Sequence, residues 1–357
     1  MTDPTMPVTG GVDTHKDIHV AAVLNAVGVV LGTSEFPTTP AGYRRLLTWM
    51  RGFGELTVVG VEGTGAWGAG LARQLTSNGI RVVEVQRPNR QFRRRHGKSD
   101  TADAIGAARA VQSGEANGAP KTADGSVEAI RLLSVARRSA IKARTQAANQ
   151  MHAVVTTAPA ELRTTLARLN TKQLVERCAR FHTAPATSPV GAARRTLRLL
   201  ARRWQALTTE IVELDAVLDD LTAELAPTLR ELPSVGTQTA AILLLAAGDN
   251  PDRLEHERSF AALCGTSPID ASSGRQHRHR LNRGGDRNAN AALYIIVISR
   301  LRWHEPTRAY MQRRLAEGRT KKEVIRCLKR YVARQVHRAI LDDLPNISHA
   351  RPLALAA

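Results

Sequence analysis

Between Gly11 and Val111 the apolar pattern changes period in a fixed order, and that order leaves few folds open. From Gly11 to about Phe36 short apolar runs alternate with period two, and Asn25-Ala26-Val27-Gly28 supplies turn chemistry between them, so the stretch reads as a strand meander. Thr38-Thr39-Pro40 then opens a helix reaching Trp49 and Met50, with threonine as the cap and Pro40 at an early helical position. Leu56 to Val61 is extended again, a helix fits Gly65 to Ser77, Arg81 to Val85 is a further strand, and Asp100 to Val111 is a third helix. The predicted order is β-β-β-α-β-α-β-α.

An antiparallel meander feeding a partly parallel sheet is the arrangement of the ribonuclease H-like fold, which many metal-dependent nucleases share, although a fold does not by itself define a function. After Gln112 the sequence turns to Gly, Ala, Pro and Ser until Ser126, which marks a domain boundary. From Val127 to about Thr157, and again from Ala192 to Leu225, Leu, Ile and Val recur at helical spacing, separated by Ala184-Pro185-Ala186-Thr187-Ser188-Pro189. These two stretches predict a long helical hairpin, either a coiled-coil arm that pairs subunits or a simple spacer. From Pro233 to about Asp343 the pattern is mainly helical, and the tail after Leu344 is expected to be loose. The expected fold class is therefore α/β plus α, with a ribonuclease H-like domain over 1–124, a hairpin over 125–228, a mainly helical C-terminal domain over 229–343 and a tail over 344–357. A chain of 357 residues has room for more than one core.

Lys and Arg number 51 against 32 acids, a net charge of +19, and the excess is clustered, which points to a polyanionic partner. Aromatic residues make up only 4%, so contacts to phosphates should outweigh base stacking. Cys178, Cys264 and Cys327 form no C-x-x-C pair, which argues against a disulfide framework and a zinc finger and fits a reducing cytoplasm. The start Met-Thr-Asp-Pro has no basic leader, and the apolar run from Ala240 to Ala247 is too short to span a bilayer. A cytoplasmic, nucleoid-associated protein without membrane contact is expected.

Four acids stand where strand and helix ends can share one cleft. Asp13 follows the first strand in Gly-Val-Asp-Thr-His-Lys, and Glu62 follows the apolar run Val58-Val59-Gly60-Val61. Asp100 and Asp103, three apart at a helix start, fall on one helical face. Taken singly, Asp100 would serve as an N-cap, Asp13 as a strand-end turn residue and Glu62 as a surface acid. Jointly they suit a phosphodiester displacement, in which charge develops on the attacking and leaving oxygens and two Mg²⁺ ions about 4 Å apart can clamp both. Hard cations prefer carboxylate oxygen.

At these residues the sequence resembles the DEDD-type transposases of bacterial insertion sequences, whose first domain is similar to Holliday-junction resolvases of the RuvC type. The matching stretches are Gly11-Val12-Asp13, Val61-Glu62-Gly63-Thr64-Gly65 and Lys98-Ser99-Asp100-Thr101-Ala102-Asp103-Ala104, then Leu232 to Ala241, Ala262 to Pro268 and Ser272-Ser273-Gly274. The resemblance covers nearly the whole chain in order. Two departures stand out: Pro233-Ser234-Val235-Gly236 replaces the more usual Pro-Gly-hydrophobic-Gly, and Asn288-Ala289-Asn290 occupies a segment often richer in Arg. The resemblance implies that Asp13, Glu62, Asp100 and Asp103 hold the metals and that a serine before glycine, Ser273 or its neighbour Ser272, attacks DNA and becomes covalently joined to it. It also implies a structured noncoding RNA that pairs with donor and target DNA, which would delegate specificity to base pairing.

A serine hydroxyl needs help to attack. Arg275-Gln276-His277-Arg278-His279-Arg280 offers cations for the scissile phosphate, with Arg275, Arg278 and Arg280 as candidate contacts, while His277-x-His279 lacks a third ligand and is not assigned a metal. Arg87, Arg90, Arg93, Arg94, Arg95, His96 and Lys98 form a dense basic run directly before Asp100, where they could draw the phosphate backbone toward the acids. Pro233 to Gly248 reads either as a helix-hairpin-helix gripping a phosphate or as ordinary core. The expected activity is excision and insertion of an insertion sequence by a dimer or tetramer. The alternatives are a junction-resolving nuclease that uses water and a non-catalytic nucleic-acid-binding protein.

Overall fold

The computed structural model describes residues 6–85, 99–121, 125–182, 187–248, 254–275 and 279–349. The chain forms two compact units: Met1–Asp124 with Ala247–Ser259, and Gly125–Ala246 with Phe260–Ala357.

The first unit is built on a five-stranded sheet of order β3-β2-β1-β4-β5, formed by β1 (Pro7–Thr14), β2 (Ile18–Asn25), β3 (Val30–Pro37), β4 (Glu55–Glu62) and β5 (Arg81–Val85). The β1–β2 and β2–β3 pairs are antiparallel, whereas β1–β4 and β4–β5 are parallel. This mixed sheet is the ribonuclease H-like arrangement that the sequence order predicts. Strand alternation sorts the side chains onto two faces. Val12, Ala21, Val23, Val59 and Val61 pack with Leu46, Leu47 and Met50 of α1 (Pro40–Arg51) and with Leu71 and Leu75 of α2 (Ala69–Ser77). Val20, Ala22 and Leu24 face the other way, against Ala104 and Ala108 of α3 (Asp100–Gln112).

Helix α1 begins as its sequence directs: the Thr39 Oγ1 accepts the Gly42 N–H at 3.1 Å, with Pro40 in the first turn. Helix α2 starts at Ala69 rather than Gly65, because Ala66 and Gly68 donate their N–H groups to the Gly63 carbonyl and spend the intervening residues in turns.

In the second unit α4 (Ser126–Thr157) lies against α7 (Pro189–Leu225). Arg137 pairs with Asp215, the Arg144 guanidinium sits 5.5 Å from the Trp204 ring centroid, and Met151 shares a cluster with Leu197 and Ala201. Residue numbers fall along one helix as they rise along the other, so the hairpin is antiparallel. Two helices absent from the sequence reading, α5 (Ala160–Leu166) and α6 (Thr171–Ala179), close its tip by burying Leu162, Leu166, Leu174, Val175 and Cys178 in the same cluster. A legible signal marks α6, a capping box in which the Asn170 Oδ1 accepts the Gln173 N–H and the Gln173 Oε1 accepts the Asn170 N–H.

The chain continues through α8 (Pro227–Glu231), α9 (Thr237–Ala247), α10 (Glu257–Leu263), a two-stranded hairpin of β6 (Ile269–Asp270) and β7 (His279–Arg280), and then α11 (Arg287–Trp303), α12 (Glu305–Ala316) and α13 (Lys321–His349). Ala240, Ala241, Leu243, Leu244, Ala246 and Ala247 are all buried, so α9 is a core helix. The Asp343 carboxylate on α13 accepts the Thr228 and Leu229 N–H groups at 3.1 and 2.9 Å, capping α8 from more than a hundred residues away. Helix α13 runs past Leu344 to His349, with Ile347 still buried. Among the described residues no helix is long and apolar enough to cross a membrane.

Candidate active site

The site follows from how α3 meets the sheet. In the parallel β1–β4 pair Gly11 lies opposite Gly60. A Cβ at Gly11 would stand 2.2 Å from the Ala104 carbonyl oxygen and 2.4 Å from the Ala108 nitrogen, and one at Gly60 would stand 2.7 Å from the Ala107 carbonyl oxygen. Two glycines and three buried alanines therefore let the α3 backbone rest directly on the strands. With period two, the residues two positions on, Asp13 and Glu62, project from the same face, at the strand ends.

Helix α3 brings its first turn to these strand ends. Ser99 is its N-cap, and the Ser99 Oγ accepts the Ala102 N–H at 3.1 Å. The alternative role of Asp100 as the cap is thus taken by its neighbour, and the Asp100 carboxylate is left exposed. Asp103, one turn later, is buried.

Asp13, His15 and Asp100 each place a potential ligand atom within 4.8 Å of the others. The His15 Nε2 lies 3.1 Å from the Asp13 Oδ2 and 3.5 Å from the Asp100 Oδ2. Burial raises the Asp13 pKa above the ordinary carboxylate value. His15 opposes that rise, while the negative charges of Asp103 and Asp100 add to it. The repulsion among these acids is the condition that a divalent cation relieves, and carboxylate oxygens are the donors such a cation prefers, so this residue set fits a hard metal ion. Glu62 and Asp103 lie outside the three-residue cluster. Glu62 is held in register by its carbonyl, which accepts the Thr14 hydroxyl at 2.7 Å and so joins the ends of β1 and β4. His15 is the site residue that sequence reasoning missed. Its signal was the Asp-x-His spacing, which carries the imidazole to the same side of the strand end as Asp13.

Ser272 and Ser273 lie in the second unit, both exposed, in the loop of the β6–β7 hairpin. The Asp270 Oδ1 accepts the Ser272 N–H at 2.8 Å, and bonds from Ser272 hold the Asp270 carboxyl below its usual range. Arg275 follows on an exposed turn and Arg280 is exposed on β7. Arg278, His277 and the basic run Arg87, Arg90, Arg93, Arg94, Arg95, His96 and Lys98 lie outside the described residues. The hairpin reading of Pro233 to Gly248 meets a turn in which the Gly236 N–H is engaged by the Thr239 Oγ1 at 3.0 Å. At the departure noted in the sequence, Ser234 takes φ +63°, the left-handed conformation that a glycine would occupy freely.

A mixed 3-2-1-4-5 sheet carrying acids at its central strand ends defines a ribonuclease H-like protein. Comparison with known families narrows this. Residues 10–158 match a family model described as "Transposase", of the DEDD type named for IS110, and residues 226–312 match one described as "Transposase IS116/IS110/IS902 family". The mini-circle protein of IS117 from Streptomyces coelicolor is 25% identical over 333 residues, covering 78% of this chain and 80% of that one. A 43.6 kDa protein of insertion element IS110 from the same organism is 31% identical over 107 residues, 30% of this chain and 26% of its own. The chain belongs to the IS110 family of DEDD transposases.

Proposed function

We propose that this transposase excises and inserts its element by serine attack on DNA, with Asp13, Glu62, Asp100 and Asp103 as the metal-holding carboxylates and Ser273 as the nucleophile. The observation that carries the reading is the convergence of Asp13, His15 and Asp100 at the strand ends, beneath the first turn of α3. Two Mg²⁺ ions bound to these carboxylates would offset the charge that develops on the reacting oxygens. Asp13 and Glu62 are fixed by the strands, Asp100 and Asp103 by the helix, and His15 orients Asp13 through its hydrogen bond. Ser273 offers an exposed hydroxyl on a hairpin flanked by Arg275 and Arg280, whose guanidinium groups suit the scissile phosphate. Arg87, Arg90, Arg93, Arg94, Arg95, Lys98 and Arg278 extend the phosphate contacts.

The net charge of +19, with no dedicated base-reading motif in the sequence, supports guidance by a noncoding RNA that bridges donor and target DNA. The long antiparallel hairpin over 125–228 is assigned as the arm through which a dimer or tetramer forms, and 229–343 as the domain that presents the serine. Such an enzyme works at the nucleoid.

The test is a denaturing gel of protein, Mg²⁺, the element-end RNA and a labelled junction DNA, comparing wild type with Ser273→Ala. A protein–DNA adduct lost in the variant is the expected result. Cleavage without an adduct, retained in the variant, would instead identify a nuclease that uses water; binding without cleavage would identify a non-catalytic binder.

A further inference from the structure

Arg300, in the middle of α11, is only 3% exposed and has no carboxylate partner among the described residues. Its Nε donates to the Pro233 carbonyl at 2.8 Å and its Nη1 to the Gln335 side-chain oxygen at 2.6 Å, both neutral acceptors. Its Nη2 meets no acceptor among the described residues. A guanidinium cannot shed its proton to escape burial, so a buried Arg without a counter-ion is an unusual and costly arrangement.

Arg300 helps to wall a cavity of about 260 Å³ that is also lined by Thr228, His304, Gln335, Arg338 and Asp342. Arg338 lies one turn beyond Gln335 on α13, exposed, and forms no ion pair with a described residue. Two guanidinium groups thus share one small cleft with a single carboxylate, Asp342. We propose that this cleft binds a phosphodiester group of a nucleic-acid strand, gripped by the Arg338 guanidinium, while Arg300, whose Nη2 is sealed from solvent, lends its positive charge from the wall. The planar guanidinium fork matches two oxygens of such a group, and one negative charge in the cleft gives the buried cation the counter-ion it lacks. The inference leans on the transposase reading only for the identity of the polymer; phosphate binding itself does not require it.

The experiment uses the full chain in EDTA. Its melting temperature is followed with inorganic phosphate against chloride at matched ionic strength. Anisotropy then reports binding of a labelled DNA duplex, and of an RNA duplex of the same sequence, across a KCl series. Arg338→Gln, at an exposed position, avoids the folding defect that a change at Arg300 could cause. The expected result is a phosphate-induced rise in melting temperature that is largely lost in Arg338→Gln and enlarged in Asp342→Asn. Affinity for at least one duplex should fall about threefold to tenfold in Arg338→Gln, with the salt slope reduced by about one. Which duplex responds identifies the strand. Equal phosphate responses in all three proteins would overturn the proposal and leave Arg300 as a pin for Pro233. A lost phosphate response with both duplexes unaffected would overturn the assignment to nucleic acid. Asp13→Asn should keep the phosphate response whether or not it cleaves, which separates failure of this site from failure of the proposed chemistry.

Discussion

The two units hold charge in opposite and complementary ways. At the strand ends of the first, Asp13, Asp100 and Asp103 crowd negative charge together, with His15 between Asp13 and Asp100. In the second, Arg300 is buried with only neutral acceptors among the described residues. Carboxylates can relieve crowding by taking up a proton or a cation, and the Asp13 pKa is raised, first by burial and then by the charges of Asp103 and Asp100. Arginine has no such release. The same contrast recurs with a second buried base: His19 is fully buried, stacked on Tyr43 with ring planes 7° apart, and neither ring nitrogen meets a hydrogen-bond partner among the described residues. Burial holds its pKa down to about 4, so it stays neutral where Arg300 stays charged. What differs between the regions is therefore the chemical freedom of the buried group, and each predicts a different response to ions and pH.

The sharpest break comes at the acids. Asp13→Asn should lower metal-dependent DNA cleavage on the order of a thousandfold, and in EDTA its melting temperature should hold or rise because repulsion has been relieved. A variant that cleaves normally would remove Asp13 from the site. Next in size is pH. Between about pH 6.5 and the His19 value of about 4, the folded chain binds fewer protons than the unfolded one, so the His19 contribution is complete above that window and lost as pH falls through it. The loss amounts to about 3 kcal/mol, and urea titrations of wild type and His19→Phe should converge at high pH and separate in acid, with the variant more resistant.

Gly11→Ala tests whether backbone contact is what positions the carboxylates. Its Cβ would collide with two backbone atoms of α3, so we expect about 1–3 kcal/mol of destabilisation and a weaker Mg²⁺-induced rise in melting temperature. Unchanged metal response would detach α3 from the site. The smallest expected effect lies in the second unit. Ser234→Gly relieves the left-handed strain at φ +63° and removes a buried hydroxyl that meets no partner among the described residues, and should stabilise the chain by about 1 kcal/mol in chemical denaturation.

Much of the first unit was legible because its information is local. Period-two runs, the Thr39-Pro40 cap and the turn at Asn25 each act over a few residues, and the strand order follows from them. The departure at Pro233-Ser234-Val235-Gly236 was also visible in sequence, though its meaning was not: only the backbone shows that serine adopts a glycine's conformation there. The short helices α5 and α6 went unread because a capping box spans four residues and gives little periodicity, and their burial depends on the far ends of α4 and α7.

The sequence by itself determined the alternation of strands and helices, the cationic character of the chain and the candidate acids, since all three depend on side-chain type and near-neighbour spacing. Only the tertiary structure decided that Gly11 meets the α3 backbone, that His15 stands between two carboxylates, and that Arg300 is buried without a counter-ion among the described residues. Those outcomes depend on residues dozens of positions apart, such as Gly11 with Ala104, His15 with Asp100 or Pro233 with Arg300, and are set by the distance between backbones rather than by any pattern along one of them.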